Sequence, residues 1–124
     1  MKVRFNKLRK QLGMNNMPIK LRKALAKLPY FGKCARKDIQ CKGRITWEHA
    51  LYYRGRQIQE PWAIIPLCYE HHLGFCLDKR ENELIALTRL FESEEWTKDA
   101  ENKYPKAIDG WRQRLKYLIS NKKQ

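Results

Sequence analysis

Arg44-Ile45-Thr46-Trp47-Glu48-His49 and Trp62-Ala63-Ile64-Ile65-Pro66-Leu67-Cys68-Tyr69-Glu70-His71-His72 are the two stretches that decide how this chain folds. Each opens on β-branched and aromatic residues, the composition of a strand. The first ends at a histidine. The second runs on into Cys-x-x-His-His, and from Tyr69 a helix is expected to stop near Gly74, a usual C-terminal breaker. The segment between them, residues 53–60 with Gly55, is polar and reads as the long loop of a β-hairpin. The expected unit is strand, strand, helix.

Working outward, the helix carries a metal-ligand pattern. Cys68 and His71 are three residues apart and share one helix face, whereas His71 and His72 diverge by about 100°. One ion therefore takes Cys68 and His71 but not both histidines. Upstream, residues 29–43 show neither a strand nor a helix period, are punctuated by Gly32 and Gly43, and carry Cys34 and Cys41. Cys34, Cys41, Cys68 and His71 make a Cys3His set of the kind that binds structural zinc in a closed tetrahedron. An assignment using Cys76 instead of His71 ranks lower, because Cys76 lies beyond Gly74 and off that face; its ordinary reading is a small buried hydrophobe. His49, His72 and Glu48 are left over. A strand-end histidine and a helix histidine can face each other, and with a carboxylate beside them they would suit a hard divalent ion and phosphodiester cleavage.

Length and charge frame that reading. The chain has 124 residues, enough for one small domain whose modest core gains from a metal cross-link. Lys and Arg number 27 against 13 Asp and Glu, a formal charge of +14, which calls for a polyanionic partner. The cations are unevenly placed: residues 1–33 hold ten and no acid, while residues 78–101 hold eight of the thirteen acids. A helix beginning at Pro18 would carry Lys20, Arg22, Lys23 and Lys27 on one side and Leu21, Ala24, Leu25 and Leu28 on the other. Lys20, Lys23 and Lys27 are candidate phosphate contacts, as are Arg44, Arg54 and Arg56 in or beside the hairpin. Trp47 and Trp62, at strand positions, are expected in the core. Asp78 and Glu81 have capping-box spacing ahead of a helix with Leu84, Leu87, Thr88 and Phe91, and Pro105 opens a last helix with Ile108, Trp111, Leu115 and Leu118 on one face. The longest apolar stretch, Trp62 to Cys68, is too short to span a bilayer, and the N-terminus lacks the apolar core of a signal peptide. A soluble, intracellular protein with cysteines as ligands rather than disulfides is expected.

Cys34-x6-Cys41, the Glu48-His49 pair and the run from Pro66 to His72 together resemble the zinc-containing HNH endonucleases of the ββα-metal, or His-Me finger, superfamily, particularly small phage-type members. The match covers about residues 34–75. The resemblance implies a ββα-metal finger with a structural zinc, and the ends lie outside the match. With the flanking helices read above, an α+β fold is expected, the finger having helices at both ends: a basic arm and helix (1–33), the zinc-stabilised core (34–76) and C-terminal helices (77–124) in a single compact domain. The resemblance also implies His49 as general base, His72 as ligand of a catalytic Mg2+, Mn2+ or other divalent ion, and Glu48 as a second ligand or orienting group. DNA is the implied substrate, with RNA kept open, and the setting a phage protein in the cytoplasm of a bacterial host. One departure stands out: no Asn lies between Thr46 and Asn82, where the family's middle asparagine ties the hairpin loop. Ala63 holds roughly that position, and Gln57 or Gln59 could supply the amide. The alternative reading is a non-catalytic, zinc-stabilised nucleic-acid-binding module.

Overall fold

In the computed structural model, which describes residues 17–122, β1 (Ile45–His49) lies antiparallel to β4 (Ile64–Cys68), with Ile45 opposite Cys68 and His49 opposite Ile64. The first strand is half exposed, whereas every residue of β4 is buried. Pro66 sits in that buried strand without breaking the pairing. Its carbonyl accepts from Ala35 N at 2.8 Å, so the outer side of β4 faces the 34–41 loop, and the N–H that proline lacks is missing from that same side. The ladder to β1 loses nothing.

The connection between the strands is not the open loop expected of residues 53–60. Tyr52–Tyr53 (β2) and Arg56–Gln57 (β3) form a second, two-stranded antiparallel sheet around Arg54 and Gly55. Both turn residues have positive φ, 53° and 77°, the geometry of a tight hairpin turn whose twist matches that of its strands. Arg-Gly replaces the usual Asn-Gly, which is why the turn was not legible. A short 3-10 turn, Pro61–Ala63, then delivers the chain into β4, so Trp62 precedes the strand instead of starting it.

β4 passes directly into α2 (Tyr69–His72), a single helical turn. Its position is set by Gly43, whose φ of +89° and lack of a side chain let the backbone approach Tyr69; a Cβ there would meet the Tyr69 Cβ at 2.8 Å. Tyr69 N and Glu70 N donate to the carbonyls of Arg44 and Lys42, tying α2 to the start of β1. These elements make an α+β fold with small antiparallel sheets.

Helices flank this unit. α1 (Ile19–Ala26) buries Leu25 and half-buries Leu21, but Ala24 and Leu28 are exposed, so its apolar side is narrower than the spacing suggests. Asp78 caps α3 (Lys79–Glu92), its Oδ1 accepting from Arg80 N and Glu81 N at 3.1 Å. Ser93 then ends α3 and caps α4 (Glu94–Lys103), accepting from Trp96 N; this break was not anticipated. The last helix, α5 (Ile108–Lys122), begins three residues after Pro105, which lies in the preceding turn. Trp62 joins the two halves. It is fully buried, stands edge-on to Tyr104 and Trp111, and donates Nε1–H to Asp99 at 2.9 Å. Trp47 packs edge-on to Phe31 and donates to its carbonyl, as expected of a core residue, but it is only partly buried and also lines the cleft beside β1.

Candidate metal centre and adjoining cleft

Two sites share α2. The first is formed by Cys34 and Cys41 from the loop before β1, Cys68 at the end of β4, and His71. Their ligand atoms all lie within 4.8 Å of one another, and among the described residues this is the one group of three or more such side chains that converges in this way. Around His71 Nδ1 the sulfurs of Cys68, Cys34 and Cys41 stand at 3.1, 3.6 and 3.8 Å. Zinc at about 2.3 Å from sulfur and 2.1 Å from nitrogen in a tetrahedron would hold these atoms about 3.6 Å apart. The donor set and its spacing are therefore compatible with structural zinc.

The surroundings of the cluster fit the same ion. His71 is 0% exposed, and its Nε2–H donates to Asp38 Oδ2 at 3.1 Å, which fixes Nδ1 as the lone-pair nitrogen facing the sulfurs. Asp38 also turns its own loop: Oδ1 accepts from Gln40 N, and its carbonyl accepts from Cys41 N. Burial opposes ionisation of the Cys68 thiol, but the backbone N–H groups of His71 and Lys42 outweigh it and bring the thiol down to about 6. Cys41 is pushed up to about 11 by desolvation and by the thiols of Cys34 and Cys68. Sulfurs this close cannot all ionise by themselves; a cation lets them do so together. Cys76 stands outside the cluster and is only half-buried, so it is not the small buried hydrophobe expected of it.

On the other side of α2 lies a cleft of about 590 Å3, lined by Arg44 and the β1 residues that follow it and by Tyr52, Tyr69, His72 and Lys79, among others. His72 is held by Thr46. The Thr46 hydroxyl donates to the Leu67 carbonyl at 2.9 Å, so it accepts the Nδ1–H of His72 at 2.6 Å, and His72 keeps its Nε2 lone pair. His49 is held the opposite way. Its Nε2–H donates to Gln59 Oε1 at 2.8 Å, leaving the Nδ1 lone pair. The Gln59 side-chain amide thus accepts a hydrogen bond from the strand-end histidine, while the loop closes through Ala50 N donating to the Ala63 carbonyl. Burial holds both imidazoles below the ordinary histidine range; for His72 the charges of Lys79 and His49 add to it, and for His49 the Gln59 bond and Glu48 oppose it.

Glu48 is only 5% exposed and already engaged: Oε2 accepts from Asn82 Nδ2 at 2.9 Å and Oε1 from Lys79 Nζ at 3.2 Å. Burial still raises its carboxyl above the usual range, opposed by Lys79, Asn82 and His49. Lys79 is 70% exposed, so its ammonium reaches in from solvent.

Of the candidate phosphate contacts, Arg44 lines the cleft, joined by Arg22 and Lys79. Lys20, Lys23 and Lys27 on α1 and Arg54 and Arg56 on the small hairpin are exposed but do not line it. The cations of residues 1–16 lie outside the described residues. No family model, curated protein or solved structure matches the chain, so the family likeness rests on the motif residues alone.

Proposed function

We propose that the cleft hydrolyses phosphodiester bonds in nucleic acid, DNA in the first instance, with His49 as general base and His72 as ligand of a catalytic divalent ion. One observation carries this reading: two imidazoles enter one cleft with opposite nitrogens free, each tautomer fixed by a partner that reacts with nothing. Nδ1 of His49 accepts a proton from water as the water oxygen attacks phosphorus and the bond to the leaving oxygen breaks. His72 Nε2 would hold a divalent ion, with Glu48 as the second protein group beside it, and such an ion would supply charge stabilisation for the phosphoryl and leaving oxygens. Mg2+ commonly keeps several waters and takes substrate phosphate oxygens besides one or two protein groups, so a sparse ligand set fits it. Burial keeps both rings neutral at pH 7, the state each role needs. Arg44 beside the cleft offers a guanidinium for an adjoining phosphate. The Cys3His cluster, with Cys34, Cys68 and His71 buried and Cys41 at the surface, acts by position: it anchors His71, and His72 follows on the same turn.

A non-catalytic nucleic-acid-binding module remains the second reading, and one feature favours it: the Glu48 carboxylate is paired with Lys79 and Asn82. The two part in a plasmid-nicking assay across Mg2+, Mn2+, Ni2+ and Zn2+. Nicking by wild type that disappears in His49→Ala, with gel-shift binding retained, supports hydrolysis. No cleavage with any of these ions overturns it in favour of the binding module.

A further inference from the structure

The wall of the cleft is chemically mixed in a way that a phosphate site does not require. Beside the two histidines, Tyr52 is 47% exposed, Tyr69 and Leu73 are each 49% exposed, and Leu77 is 39% exposed. Large apolar groups left in water around a reactive site mark a surface built to be covered. The cations there are Arg22, Arg44 and Lys79, in a chain of formal charge +14, so the occupant is an anion with apolar faces.

A duplex does not have that character. It presents phosphates and groove edges, with its base faces stacked inside, and gives two tyrosines and two leucines nothing to cover. An unpaired strand presents phosphates and bare base faces together, and aromatic side chains bind those faces with little regard for sequence. The placement of Tyr69 favours this. Its Cβ packs on Gly43 and its N–H is bonded to the Arg44 carbonyl, so its backbone is fixed beside Arg44, with the side chain half exposed at the cleft. Tyr52 is fixed by pairing with Gln57 at the other rim.

We infer that the cleft receives a single-stranded stretch of nucleic acid, with Tyr52 and Tyr69 stacking on unpaired bases that flank the phosphate held between His49 and His72. The inference rests on the hydrolytic reading for the reacting phosphate but not for the stacking, so binding is measured separately from cleavage.

The test uses the full, zinc-loaded chain with no further divalent ion added. Fluorescence anisotropy follows binding to oligo-dT, to oligo-U and to a blunt DNA duplex of equal phosphate number at one salt concentration. Single strands are expected to bind at least about fivefold tighter than duplex, and Tyr52→Ala or Tyr69→Ala to weaken single-strand binding about fivefold while duplex binding is unchanged. The Tyr→Phe variants, which keep the ring, should bind as wild type does, and zinc content shows that each variant is folded. The dT and U arms decide between DNA and RNA. Duplex binding that equals or exceeds single-strand binding overturns the inference, as do alanine variants that bind single strands normally. A wild-type dimer in sedimentation that Tyr52→Ala or Leu73→Asp dissociates assigns the surface to a second copy and also overturns it. Tight, tyrosine-dependent single-strand binding with no cleavage of the bound oligonucleotide when Mg2+, Mn2+, Ni2+ or Zn2+ is added would instead sink the hydrolytic reading alone.

Discussion

His71 and His72 are neighbours on one helical turn, yet they belong to opposite kinds of site. His71 is fully buried, with one nitrogen on Asp38 and the other facing three sulfurs, so nothing is left for water or substrate. His72 is half-buried, with one nitrogen on Thr46 and the other directed to a cleft. A single turn diverges successive side chains by about 100°, enough to put one ring in the sulfur cluster and the next in the open cleft. The lesson is that one short helical turn can hold two neighbouring rings in different surroundings without any shared atom.

The comparison breaks most severely at the closed side. Structural zinc binding is worth roughly 10–16 kcal/mol, comparable to the whole stability of a small domain, because folding and ligation are linked. Cys68→Ser or Cys34→Ser should therefore abolish most of the cooperative thermal transition, and purified wild type should carry one zinc per chain by metal analysis. Wild-type protein that folds cooperatively and contains no zinc would refute the closed centre.

On the open side, His49→Ala should lower the nicking rate about 10²- to 10⁴-fold, as loss of a general base does, while binding stays within about twofold. The melting curve should shift only by what one buried side chain and its hydrogen bond contribute, keeping the cooperative transition that the cysteine variants lose. A smaller effect is expected from Asp38→Asn, which leaves every sulfur in place but loosens the orientation of His71. Chelator competition should show zinc affinity falling about 10- to 100-fold. An unchanged affinity would make Asp38 a loop residue only.

Acid should separate the sites as well. Because burial places the His49 and His72 pKa values below the ordinary 6.5, nicking should stay level as pH falls to 6.5 and decline only beneath it. The unfolded chain takes up these protons more readily than the native one, so their contribution to stability is complete above pH 6.5 and diminishes as pH drops through 6.5 toward the lowered native values. A nicking profile already falling above pH 7 would contradict neutral, buried rings. The mildest change is Lys79→Met, which frees Glu48 Oε1. The Mn2+ concentration for half-maximal nicking should drop a few-fold, on the scale of a single exposed ion pair. No change would separate Glu48 from the ion altogether.

Much of this architecture was legible because short-range spacing carried it. The three-residue step from Cys68 to His71, the strand composition on either side of residues 50–61, and Asp78 three residues before Glu81 are local patterns, and the structure bears them out. What escaped was tertiary or unusual. Asp38 reaches His71 across 33 positions, and Lys79 and Asn82 reach Glu48 across 31 and 34, distances at which no periodicity speaks. The Arg54-Gly55 turn was hidden because positive φ at arginine is rare, and Ser93 because a lone serine inside a helical pattern does not announce a cap. Gln59 was one of two glutamines weighed for the missing asparagine, and only the folded chain distinguishes it from Gln57, whose Oε1 is buried without a hydrogen-bond partner.

Pro66 has one further consequence. A sheet of two strands has an outer side on each, and an unguarded strand can template edge-to-edge polymerisation with other copies. On β4 that side offers no donor at Pro66, and its carbonyl is already taken by Ala35. The most apolar segment of the molecule is thereby capped against amyloid-like growth, and Pro66→Val, which restores the donor, should make the protein measurably more prone to fibril formation on warming.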